Sequence, residues 1–198
     1  MEIPVQSSAA TTLLEIFKSG RPLVYVHSAE EDRVSDLLRS AGRQLGAATP
    51  LPVWTWSLTQ GLFSGEQPAQ AGNDNPDKAA ASCSCDPSEA LDFIAQQSGP
   101  AIYHLKDFHE PLRDSAGVRR RLRDLYQLCL DRQKFIVITS PLRVIPEEIE
   151  RSLVVVDLLP PDLTELVEFL RSEAEQFAAC GAHADTSEEV RLLTPSKA

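Results

Sequence analysis

The sequence predicts an α/β domain, a mainly parallel sheet with helices on both faces. Three observations predict it. Five short apolar runs recur along the chain, and each is followed by a stretch of helical spacing. One of them, Phe135 to Thr139, is apolar without interruption, which suits a strand covered on both sides. The composition, 42% apolar and 24% charged over 198 residues, is that of one globular domain or of a domain with an appendage.

Taken in order, Thr11 to Ser19 is expected to form a short helix with Leu13, Leu14 and Phe17 on one face, stopped by Gly20. Pro22 opens the first strand, Leu23 to His27. Ser28 and Glu31 have the spacing of a capping box, so the next helix is expected to begin there and to run through Val34, Leu37, Leu38 and Leu45. Its acidic first turn also suits the positive end of the helix dipole. The alternating run from Pro52 to Leu58 is the second strand.

From Ser64 to Cys85 the chain is polar, rich in turn formers and without period, so a flexible loop is expected over 64–86. Asp86-Pro87-Ser88-Glu89 restarts a helix with a cap, a proline in the first turn and an acid. Ser98-Gly99-Pro100 ends it. Ala101 to Leu105 is the third strand, and Gly117 to Arg132 a helix with Val118, Leu122, Leu125 and Cys129 on one face. The fourth strand is Phe135 to Thr139 and the fifth Leu153 to Val156. Pro160-Pro161-Asp162 caps a long helix through Leu163, Leu166, Val167, Leu170 and Phe177. Strands alternating with helices imply right-handed parallel crossovers.

The turn after the first strand carries the chemistry. A nucleotide-binding α/β domain continues there into G-x-x-x-x-G-K-S/T. This chain has Ser28-Ala29-Glu30-Glu31-Asp32-Arg33 instead, with no glycine for close backbone approach and no lysine for phosphates. Carboxylates stand where a triphosphate would lie. They also make a well-charged helix start, so the cluster has a purely structural explanation as well.

Other features are bounded by residue chemistry. The net charge of -10 disfavours nucleic acid as a partner. The first residues lack the pattern of a secretory signal and no run reaches membrane-spanning length, so a cytoplasmic or plastid-stroma location is expected. Cys83-Ser84-Cys85 has no second pair at zinc spacing, and a metal is not expected there. His104, Asp107, His109 and Glu110 lie close in sequence but without closed ligand spacing. Arg119-Arg120-Arg121 with Arg123 reads as a solvated helix face paired with Asp124 and Asp114.

Several segments together resemble one family. They are Pro22 to Val26 with Glu30 to Val34; Trp54, Trp56-Ser57-Leu58-Thr59 and Gly61-Leu62; Leu105 to His109; and Val155 to Leu158. These resemble the N-terminal part of the AAA-type ATPases called hypothetical chloroplast reading frame 46, of plastids and cyanobacteria. The resemblance spans about residues 12 to 178, and the family continues into a second module with an intact ATPase.

The resemblance implies an AAA+ three-layer αβα fold with five strands in the order 5-1-4-3-2 over residues 1–180. Residues 181–198 would be a tail or the truncated start of a helical lid, otherwise absent. It also implies stations for catalysis. The acidic pair that ends the third strand, metal ligand and water activator, is here Lys106-Asp107. Thr139 takes the place of a polar sensor, and Arg151 falls near the place of an arginine finger, although a lone exposed charge there needs no function.

The resulting expectation is a non-catalytic, regulatory or interaction domain whose protein partner is an AAA+ module or a second copy. It uses no cofactor. Two alternatives stand beside it. One is an ATPase that holds ATP and magnesium through backbone N–H groups at Ser28 to Arg33. The other is a flavodoxin-like sensor, which would have the strand order 2-1-3-4-5.

Overall fold

The computed structural model describes residues 8–46, 49–64, 85–130 and 132–161, and positions 163, 166, 167, 170, 171 and 174. Nearly all of the loop expected over 64–86 lies outside these residues, as do Cys83, Phe177, Cys180 and the expected boundary after residue 180. Two compact units are present, 1–159 and 160–198. In the second, the described positions from Leu163 to Ala174 are helical.

The first unit is built in chain order from α1 (Ser8–Lys18), β1 (Leu23–His27), α2 (Glu31–Leu45), β2 (Val53–Ser57), β3 (Gly61–Ser64), α3 (Pro87–Gln96), β4 (Ala101–Lys106), α4 (His109–Asp114), α5 (Ala116–Leu130), β5 (Lys134–Ser140), α6 (Glu147–Glu150) and β6 (Val154–Asp157). One sheet has the order β3-β2-β4-β5-β1-β6. All neighbours are parallel except β2 and β3.

The sheet therefore has six strands rather than the five expected, the addition being the antiparallel edge strand β3. The other five lie in the order 5-1-4-3-2 when numbered along the chain. A flavodoxin-like order is not present, because β1 lies between β5 and β6. The extra strand comes from a tight hairpin. Gly61 stands at φ 70, in the left-handed region that favours glycine, and the Ser57 hydroxyl accepts from the Gln60 amide at 3.2 Å.

Strand alternation divides the core into two layers. Leu23 and Tyr25 of β1, Tyr103 and Leu105 of β4, and Ile136 and Ile138 of β5 pack with α3 and α5 residues Leu91, Ile94, Leu122 and Leu125. On the other face Val24, Val26, Ile102 and Val137 pack with Leu13, Leu14 and Phe17 of α1 and Val34 and Leu38 of α2. The expected faces of α1 and α5 are buried, including Val118 and Cys129, and Leu37 and Leu45 of α2 are half-buried; Leu163, Leu166, Val167 and Leu170 of the second unit are exposed. Helix α2 runs close to the chain before β2: a Cβ on Gly42 would meet the Leu51 carbonyl oxygen at 2.9 Å.

Local signals held at α3, where the Asp86 carboxylate accepts from the amides of Ser88 and Glu89 at 2.7 and 3.1 Å. They failed at α2. The capping box does not form: Ser28 Oγ accepts from the Glu30 amide at 2.9 Å, and Glu30 is the residue before the helix, without a side-chain cap. Glu31 is drawn away to another strand.

Candidate functional site

Parallel strands place their C-terminal ends on one edge of the sheet, where α/β domains bind ligands. Here that edge gathers His27 from β1, Lys106 from β4, Ser140 from β5 and Asp157 from β6. The loop Ser28-Ala29-Glu30 and the first turn of α2 rise from it.

The side chains of this edge are largely paired with one another. Lys106 Nζ lies 3.0 Å from Glu31 Oε2, joining the end of β4 to the start of α2. Arg33 Nη1 donates to Glu30 Oε2 at 3.0 Å and to the Leu159 carbonyl at 2.8 Å. His27 places Nδ1 3.0 Å from Asp157 Oδ1 and Nε2 3.1 Å from the Pro141 carbonyl. Both partners are acceptors, so only a ring bearing both protons donates to both. Asp32 and Asp107 are exposed carboxylates beside these pairs, and Ala29 is exposed in the loop. Acids outnumber bases along the edge.

Asp107 stands at φ 52, in the left-handed region, and its amide donates to the Thr139 carbonyl at 2.9 Å. This turns the chain from β4 into α4. His109, at the start of α4, is buried with Nδ1 2.8 Å from Ser140 Oγ and 3.8 Å from Asp107 Oδ1. Both contacts fall on one nitrogen, and Ser140 is fully buried while accepting from the Leu142 amide. A Ser-His-Asp relay needs the serine and the acid on opposite nitrogens.

Thr139 does not face the edge. Its hydroxyl lies 2.9 Å from His104 Nε2 in the layer beneath α2, and His104 Nδ1 lies 3.3 Å from Ser35 Oγ. Ser35 spends its only proton on the Glu31 carbonyl at 2.9 Å. Nδ1 therefore carries a proton, and in the neutral ring Nε2 accepts from the Thr139 hydroxyl. Burial, and then the positive charges of Lys106 and Arg39, hold the His104 pKa down at about 3.

The structure thus brings Ser28, Ala29, Glu30, Glu31, Asp32, Arg33, Lys106 and Asp107 to one edge and turns Thr139 inward. Arg151 is exposed at the C-terminal end of α6. Of the residues close in sequence around His109, His104 faces the opposite layer from α4. Among the described residues no group of three or more His, Cys, Asp or Glu is arranged to hold a metal ion.

Three of the four arginines in the basic run of α5 are engaged in pairs. Arg119 binds Glu148 at 2.6 Å and the carbonyls of Leu112 and Arg113, Arg120 binds Asp124 at 2.8 Å, and Arg121 binds Asp92. Asp114 pairs with Arg113 rather than with the run. Among the described residues no helix is long and apolar enough to cross a membrane.

Sequence reasoning missed the contacts of His27 with Asp157 and of Arg33 with Leu159. Each spans more than a hundred residues, and no local motif marks either. It also missed Lys134, whose buried ammonium donates to the carbonyls of Ile94, at 2.6 Å, and Gln97 at the end of α3.

Comparison with known proteins adds a family. Residues 9–158 match the model described as the SpoVK-like AAA ATPase, N-terminal domain. A protein of Guillardia theta named as an uncharacterized AAA domain-containing protein ycf46 is 28% identical over 153 residues, covering 76% of this chain and 27% of its own length. Its namesake in Trieres chinensis is 24% identical over 158 residues, covering 80% of this chain and 29% of its own length. The chain spans less than a third of these relatives.

Proposed function

Because the chain belongs to the family of SpoVK-like AAA ATPase N-terminal domains, we propose that it is a non-catalytic AAA-type domain that regulates or docks an ATPase module. The observation that carries this reading is the Lys106–Glu31 pair at 3.0 Å. In an active domain the end of the third crossover strand holds magnesium, and the turn after the first strand cradles phosphates. Here a cation stands at the first position, an acid at the second, and they neutralise each other. Glu30, Asp32 and Asp107 add negative charge around them. Like charges at about 4 Å in a partly desolvated site cost on the order of several kcal/mol.

The backbone offers little in compensation. The Glu30 amide is taken by Ser28 Oγ, and the Glu31 amide donates to the Ala29 carbonyl at 3.2 Å. This weighs against ATP held by N–H groups alone. ATP and magnesium are therefore not this domain's cofactors in our reading, and nucleic acid is not its partner. We place it in the cytoplasm or plastid stroma.

The same edge supports a protein partner. Leu58, Leu142 and Leu159 follow the ends of β2, β5 and β6 and are 58%, 55% and 74% exposed. Isolated exposed leucines are ordinary, but three along one edge beside mutually paired charges suit a protein surface. The partner is an AAA-type ATPase module, of the kind the names of the longer relatives describe.

The test is co-expression of this chain with the region of the Guillardia theta relative beyond its matched part, followed by size-exclusion chromatography. Co-elution that Leu142→Glu weakens supports the reading. Separate elution at micromolar concentrations overturns it, as does self-association that alone accounts for the Leu142→Glu effect.

A further inference from the structure

The last residues of the first unit are fastened, one after another, to β1 and α2. Asp157 Oδ1 lies 3.0 Å from His27 Nδ1, the Leu158 amide donates to the His27 carbonyl at 3.2 Å, and the Leu159 carbonyl accepts from Arg33 at 2.8 Å. Apolar packing adds a partial hold: Val156 and Leu158 lie half-buried against the core layer of α1 and α2, and Val155 against the other layer. β6 is a four-residue edge strand paired on one side only, with Val154 to Val156 half-buried. Leu159 is 74% exposed, so apolar burial does not anchor it. Pro160 and Pro161 follow and have no N–H to give.

Arg33 is in turn oriented by Glu30, 3.0 Å away and exposed in the loop after β1. The loop that replaces a phosphate cradle is therefore wired through one guanidinium to the point where the chain leaves the first unit. We propose that Glu30, Arg33 and His27 form a latch on residues 157–159, so that displacing the Glu30 carboxylate loosens the exit of the chain more than a hundred residues away. The latch rests on these contacts alone and stands whether or not the domain binds nucleotide.

Both bonds leave Arg33 Nη1, whose two protons are fixed in the guanidinium plane, so one acceptor helps to orient the group for the other. The Arg33 side chain is 22% exposed and that of Asp157 60%, so neither replacement opens a cavity in the core. Hydrogen–deuterium exchange on the full chain reads the latch at the Leu158 amide. Arg33→Ala is expected to speed exchange there by about tenfold, the scale of one lost hydrogen bond. Asp157→Asn is expected to speed it less, and Glu30→Gln to produce a smaller loosening confined to the same stretch. Amides of β5 should stay protected in all three.

Unchanged protection at Leu158 in an Arg33→Ala, Asp157→Asn double variant overturns the latch. So does loosening by Glu30→Gln that spreads equally over β5, which marks a general loss of stability. Arg33→Lys supplies the rescue arm: it restores a cationic donor on a freely rotating ammonium in place of the planar Nη1, and the latch requires it to recover only part of the protection.

Discussion

Lys106 Nζ lies 3.0 Å from Glu31 Oε2, so the residue that ends β4 is paired with the residue that starts α2, across the end of the intervening β5. The contact explains two departures from local rules. Glu31 does not fold back to cap its own helix, and Lys106 does not extend into solvent. The lysine side chain is 21% exposed and the glutamate 37%.

A pair this accessible is screened. A double-mutant cycle with Lys106→Met and Glu31→Gln, read by urea unfolding, should give a coupling of about 0.5–1 kcal/mol that shrinks as salt is added. Zero coupling at low salt would show that the pair does not persist in solution.

His104 predicts a dependence of stability on pH. In the unfolded chain a histidine takes up its proton near pH ~6.5. In the folded protein His104 resists protonation until about pH 3. Between those values the unfolded state binds more protons, so stability falls as pH drops through the window and is level above it. The slope from this one group approaches about 1.4 kcal/mol per pH unit. His104→Asn keeps a polar side chain but removes the titration. Unfolding free energies measured over the window should lose that share of the slope, and identical slopes in both proteins would refute the assignment.

Lys134 is fully buried, and its pKa is lowered, by burial first. Its ammonium ties the start of β5 to the last carbonyls of α3. Lys134→Met fills similar volume but strands both carbonyls, and should cost about 2–4 kcal/mol. Chemical denaturation should show a lower midpoint with an unchanged slope. A cost under about 1 kcal/mol would mean that water replaces the ammonium easily.

How much of this was legible depended on the range of each interaction. Periodicity located β1, β2, β4, β5 and β6 and the buried face of α5, because Val118, Leu122, Leu125 and Cys129 repeat at helical spacing. The Asp86 cap was equally plain, since its partners are two and three residues away. β3 escaped because Gly61-Leu62-Phe63-Ser64 is too short to show alternation before the polar stretch begins. α4 escaped because Pro111 sits inside it, although in the first turn a proline is tolerated. At the edge, the sequence placed Lys106 at the end of β4 and the acids in the turn after β1. That they pair with each other was not legible, because the contact depends on the sheet bringing residues 31 and 106 together. Thr139 carries the same lesson. Its place on β5 suggested a sensor, but alternation turns it inward, where it meets His104.

The central claim is that the edge built by Glu30, Glu31, Asp32 and Lys106 does not take a nucleotide. Isothermal titration calorimetry of the full chain with ATP, with and without magnesium, tests it most directly. The account predicts no heat of binding in the micromolar range and no effect of the metal. Magnesium-dependent micromolar affinity would contradict it.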